Sequence, residues 1–202
     1  MTITKQEILQ ACKDAFDAEW AKGYPNKDNC SGFAKDVADR LGVETFDRYA
    51  NADQMVRTMT THPKWLPLAS GKKAAQQAAI GRFVMCGLES KDHSREGVKH
   101  GHIVVIVEGA LYKDLYPKCW CGSIGSSQSK GNKSVGEVWN QTDRNNVKYF
   151  QYMGGYAKPK KDKDEGGKPG SGKPGAGKPK PGEPAGNTMS GMMPGDWKSR
   201  LS

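Results

Sequence analysis

No stretch of this chain of 202 residues approaches the roughly 18 consecutive apolar residues that a membrane helix needs. The opening, MTITKQEILQACKDAF, has no basic leader followed by an apolar run. It therefore predicts synthesis in the cytoplasm with no secretory signal peptide and no exit by the general secretory route. Histidine is scarce, at four residues, and cysteine is odd in number, at five. An odd, sparse set (Cys12, Cys30, Cys86, Cys119 and Cys121) argues against a disulfide framework and predicts at least one free thiol. The last 46 residues hold a single aromatic group, Trp197, yet seven of the 11 prolines and ten of the 25 glycines. Such a composition buries too little apolar surface to offset chain entropy. A five-residue pattern from Gly167, GKPGS-GKPGA-GKPKP-GEPAG, lacks the strict period of collagen. The sequence thus predicts a disordered Gly/Pro/Lys-rich tail over 157–202 behind a folded domain over 1–156.

What is present fits a polar-leaning globular domain: 36% hydrophobic and 26% charged residues. The net charge of +9 is concentrated in the tail, with ten Lys/Arg against five Asp/Glu there and 21 against 17 in the rest. Thr4 with Glu7 forms a capping-box pattern, followed by Ile8, Cys12, Ala15 and Phe16 at helical spacing and a stop at Gly23. A second helix opens at Cys30 behind Asn29 as N-cap, carries Phe33, Val37 and Leu41 on one stripe, and stops at Gly42. Further helices are predicted over 52–59, capped by Asn51, and over 71–79, capped by Ser70. Strands are predicted over 82–88, 103–107, 118–124 and 147–152. The run IVVIV at 103–107 reads as a strand buried on both faces. Helices first and strands later, without βαβ alternation, predict an α+β fold with helices packed on a largely antiparallel sheet.

A thiol at a helix start is favoured as thiolate by the helix dipole and unpaired N–H groups, which can also bind an oxyanion. Cys30 is such a thiol, flanked by the small or polar Asn29, Ser31 and Gly32, whereas Cys12 and Cys86 lie inside apolar patterns. A cysteine nucleophile needs a base. His102 stands at the mouth of the IVVIV strand, and His100 is two residues upstream on the same face if the strand reaches that far. Two other readings compete. His100-x-His102 with Cys119-x-Cys121 offers two nitrogen and two sulfur ligands for tetrahedral zinc. A non-enzymatic basic module could instead hold anionic wall polymer or nucleic acid through the Lys-rich tail, by salt-sensitive attraction, although the body has no nucleic-acid motif.

The segment Asp28-Asn29-Cys30-Ser31-Gly32-Phe33 resembles the nucleophile motif of the NlpC/P60 peptidases, and Gly101-His102-Ile103 resembles their histidine motif. NKDNCSGF, GHIVVIVEG, LYKDLYPKCWCGSI and KSVGEVWNQTDRNN, in that order, are similar to one subgroup, the type VI secretion amidase effectors of family 1. The resemblance covers roughly residues 6–153. It implies a papain-like fold and a cysteine endopeptidase that cuts the peptidoglycan stem peptide between D-glutamate and meso-diaminopimelate. It implies Cys30 as nucleophile, His102 as base and Cys121 as third member, with no metal or cofactor; Ser31 and Asp28 are expected to touch the stem peptide. It further implies a monomer carried by a type VI secretion component into the periplasm of rival bacteria, countered in the producer by a periplasmic immunity protein. No nucleic-acid partner is expected.

Overall fold

The computed structural model describes residues 3–156, so the tail predicted over 157–202 lies outside the described residues. The elements are, in order, helix α1 (Lys5–Phe16), strands β1 (Glu19–Ala21) and β2 (Tyr24–Pro25), helices α2 (Cys30–Arg40) and α3 (Ala52–Thr61), strand β3 (Trp65–Leu68), helix α4 (Gly71–Ala79), strands β4 (Val84–Leu88), β5 (His102–Ile106), β6 (Lys118–Cys121) and β7 (Ser129–Ser134), the short helix α5 (Val135–Val138) and strand β8 (Lys148–Tyr152). Six strands form one sheet in the order β3-β8-β4-β5-β6-β7. Every neighbouring pair in it is antiparallel. The α+β class with an antiparallel sheet is thus as the element order predicts.

The caps read from the sequence are made. Glu7 N–H donates to Thr4 Oγ1 at 3.2 Å while Thr4 N–H donates to the Glu7 carboxylate at 2.7 Å. Asn51 and Gln54 make the same reciprocal pair at the start of α3, and Ser70 caps α4. Helix α1 ends at Phe16, however, short of Gly23. The chain turns back there as the β1–β2 hairpin; Gly23 supplies a φ of 77°, and its N–H donates to the Glu19 carboxylate at 2.8 Å. Helix α3 runs to Thr61, beyond the predicted 59. The hydroxyls of Thr60 and Thr61 bond back to the carbonyls of Val56 and Arg57, and Pro63 follows closely.

The strand over 82–88 starts later, at Val84, and the one over 103–107 is displaced by one residue to begin at His102. β8 starts one residue later than expected, at Lys148. β6 stops at Cys121, before the predicted end at 124. Both edge strands escape the apolar-run criterion. β3 contains Pro67, which an edge position tolerates, and β7 (SKGNKS) contains no large apolar side chain. Strands β4 and β5 are buried at every position but the first of β5. Their residues alternate between two cores. Met85, Ile103 and Val105 join Phe33, Val37, Met55 and Val56 beneath α1, α2 and α3. Cys86, Leu88, Val104 and Ile106 join Ala74, Cys119, Cys121 and Tyr149 on the other face. Helices on both faces make IVVIV apolar throughout, although the sheet is antiparallel.

Candidate active site

Cys30 opens α2 with its N-cap Asn29 in extended conformation. Asn29 Oδ1 accepts from Gly32 N–H at 2.9 Å and from Ser31 Oγ at 3.1 Å. The turn before it is fixed by Asn26, whose fully buried side chain donates to Ala15 O at 2.9 Å and to the Asp36 carboxylate at 2.8 Å, and accepts from Trp20 N–H at 3.0 Å. Gly32 is required here, because a β-carbon would meet the Asn29 side chain closely. On the opposite side, Gly122 follows β6 and presses against the carbonyls of Asn26 and Asn29, where a β-carbon would collide with backbone. Ser123 N–H donates to Lys27 O at 2.8 Å, and Gln128 Nε2 donates to Asp28 Oδ1 at 2.8 Å. These two bonds stitch the end of β6 to the turn that presents the thiol. The docking draws the chain out of the sheet at Gly122 and ends β6 early.

His102 is the first residue of β5 and pairs with Leu88 of β4. Gly101 before it lies so close to the Asp53 carboxylate and Leu88 O that no side chain fits. His100 falls outside the strand and is exposed, which corrects the expectation that it shares a strand face with His102. The imidazole of His102 sits 5.0 Å, centroid to centroid, from the Trp139 ring in an edge-on arrangement. Its Nε2 is buried and has no hydrogen-bond partner among the described residues.

Cys30 and His102 line one cleft of about 560 Å³, together with Asp28, Ser31, His93, Arg95, His100, Trp139 and Asp143. Burial pushes the Cys30 thiol up from its ordinary value, outweighing the opposing influence of the backbone N–H groups of Ile103, Ser31 and Cys30 itself. Cys121 is buried. It lies against His102 rather than along the cleft, and its thiol donates to Ser127 O at 3.1 Å. Its own ionisation is pushed up, first by the hydrogen bond with Cys119 and then by burial, with His102 opposing. Ser31 and Asp28 both face the cleft, already engaged with Asn29 and Gln128 respectively.

All five cysteines are free thiols. Cys121 meets both Cys119 and His102, but among the described residues no group of three or more His, Cys, Asp or Glu side chains is placed to hold a metal ion. The described residues also contain no helix long and apolar enough to cross a membrane.

A further pair in the cleft is invisible in the sequence. His93 Nδ1 lies 2.8 Å from Asp143 Oδ2, and the same carboxylate accepts from Ser94 N–H at 2.6 Å and Asn140 Nδ2 at 2.7 Å. Burial would raise the Asp143 pKa, but the bonds from Ser94 and His93 outweigh it and hold it below the usual carboxylate value. The pair joins positions 50 apart in sequence, so no local pattern marks it. Asn26, Gly122 and Trp139 escape notice for the same reason, although a glycine directly after CWC is a visible hint of close backbone approach.

No family model matches the chain. Over 154 residues it is 46% identical to "Peptidoglycan amidase Tse1" of Pseudomonas aeruginosa, a match that spans 75% of this chain and 93% of that relative.

Proposed function

Because the chain belongs to the type VI secretion amidase effector family, we propose that it is an antibacterial peptidoglycan hydrolase working as a papain-like cysteine endopeptidase of the NlpC/P60 kind. The bond cut is the one between D-glutamate and meso-diaminopimelate in the stem peptide. The observation that carries this reading is the placement of the Cys30 thiol at the start of α2, in the same cleft as His102, whose Nε2 has no hydrogen-bond partner among the described residues.

In the proposed reaction His102 Nε2 takes the thiol proton as Sγ of Cys30 bonds to the D-glutamyl γ-carbonyl carbon. The carbonyl oxygen becomes an oxyanion, stabilised by N–H groups at the start of α2. The carbon–nitrogen bond then breaks, and the imidazolium gives its proton to the departing amine of diaminopimelate. Water, deprotonated by His102, cleaves the thioester and returns the free thiol. Cys121 and the Trp139 ring hold the imidazole from behind, and Ser31 and Asp28 contact the stem peptide. This chemistry uses no metal or cofactor. The protein acts as a monomer, reaches the periplasm of target cells on a type VI carrier component, and is blocked in the producer by a periplasmic immunity protein.

Digestion of purified peptidoglycan, with the fragments identified by mass spectrometry, tests the reading. The expected products end in D-glutamate and begin with a free diaminopimelate amine. Cleavage at a different bond, or intact peptidoglycan, would overturn it.

A further inference from the structure

The connection between β4 and β5, residues 89–101, forms one wall of the cleft through His93, Arg95, Val98 and His100. It is anchored at two points. Ser90 donates through its N–H and hydroxyl to the two Asp53 carboxylate oxygens at 2.8 and 2.7 Å. Further along, His93 and Ser94 are tied to Asp143 beyond α5. Asp143 is only 2% exposed, so this tie is an interior one and fixes the backbone immediately before Arg95.

The charged groups facing the cleft differ in whether they already have partners. Asp28 is engaged by Gln128, and Asp143 by His93, Ser94 and Asn140. Arg95, in contrast, is exposed and has no hydrogen bond or ion pair among the described residues. Lys91, on the same connection, faces Glu89 at 3.6 Å instead of the cleft. A guanidinium on an anchored segment, beside a cleft whose carboxylates are already engaged, suits a carboxylate on the ligand, which it can grip through two parallel N–H bonds.

We propose that Arg95 is a specificity-determining residue that binds the α-carboxylate of the D-glutamyl residue in the stem peptide. The assignment rests on the stem-peptide reading of the cleft. In a γ-linked D-glutamate the α-carboxylate is free and lies on the acyl side of the scissile bond. Amidation of that group removes the charge and half of the acceptor geometry while leaving the scissile bond in place. The His93–Asp143 tie acts by holding the segment that carries Arg95.

The test is binding of two synthetic peptides, L-alanyl-γ-D-glutamyl-diaminopimelate and its D-glutamyl α-amide, to full-length Cys30→Ala protein with and without Arg95→Gln, by calorimetry. With Arg95 present, the free acid is expected to bind about tenfold to a hundredfold more tightly than the amide, the range of a charge-assisted hydrogen bond. Arg95→Gln is expected to erase that preference by weakening the acid alone, and Arg95→Lys to restore part of it. Equal loss for both peptides, an unchanged preference, or no binding of either overturns the proposal. Parallel digestion by the wild-type chain separates the two ideas: cleavage at another bond with the Arg95-dependent preference intact sinks the assigned scissile bond and keeps the carboxylate site.

Discussion

Burial raises the Cys30 thiol above its ordinary value, and the thiol shares its cleft with the His102 imidazole. Alkylation of Cys30 by iodoacetamide should therefore keep accelerating as the pH rises past 9, the ordinary value from which the thiol is raised. The sign follows from the thiolate being the reactive form: a raised pKa moves its appearance to higher pH. A rate plateau established near pH 6 would reveal a preformed ion pair instead. Cys30→Ala and His102→Ala should each lower kcat/KM by about ten-thousandfold or more, because nucleophile and base act as one unit. Circular dichroism should show both variants folded. His100→Ala should be much milder, since that side chain is exposed and off the strand. Near-wild-type turnover by folded Cys30→Ala would remove the mechanism.

At the scale of elements, the site depends on one docking contact. β6 leaves the sheet at Gly122 so that its backbone can lie on the Asn26–Asp28 turn. Gly122→Ala places a methyl group against two carbonyls that cannot move independently of Cys30. The expected result is a loss of about 1–3 kcal/mol of stability, the usual cost of overpacking, with a fall in kcat larger than the change in Tm would suggest. Urea unfolding and peptide turnover measured on one sample check this. An unchanged kcat would mean that the turn holds its place without β6. The caps that start α1, α3 and α4 were legible because each depends on residues three apart in the chain. The edge strands β3 and β7 were not, because the former includes a proline and the latter is polar; both are strands only by virtue of their neighbours.

At the scale of the whole molecule, the described residues 3–156 already hold two hydrophobic cores and the cleft with Cys30 and His102, and Tyr156 packs against the larger core. A chain ending at Tyr156 should thus match the full chain on soluble stem peptide, within about twofold in kcat/KM. The Lys-rich 157–202 segment should instead matter on intact sacculi at low salt, where charge attraction is felt beyond the roughly 8 Å screening length of physiological salt. Lost turnover on soluble peptide by the shortened chain would assign that segment a part in the domain.

The sequence alone determined the helix starts, the buried central strands and the α+β class, and it singled out Cys30 and His102 as candidate nucleophile and base. Each follows from local spacing, from short-range capping bonds or from a motif a few residues long. Only the tertiary structure decided that His102 and not His100 stands on β5, that Cys121 lies against the imidazole, and that among the described residues the four ligands of the zinc reading form no group placed to hold a metal ion. It also decided that His93 meets Asp143 and that Arg95, among the described residues, has no partner in the cleft that holds the thiol. Those relations join segments tens of residues apart, and they are set by which strands pair and where the chain leaves the sheet. Hydrophobic periodicity records which face of an element is buried, but it holds no record of what that face meets.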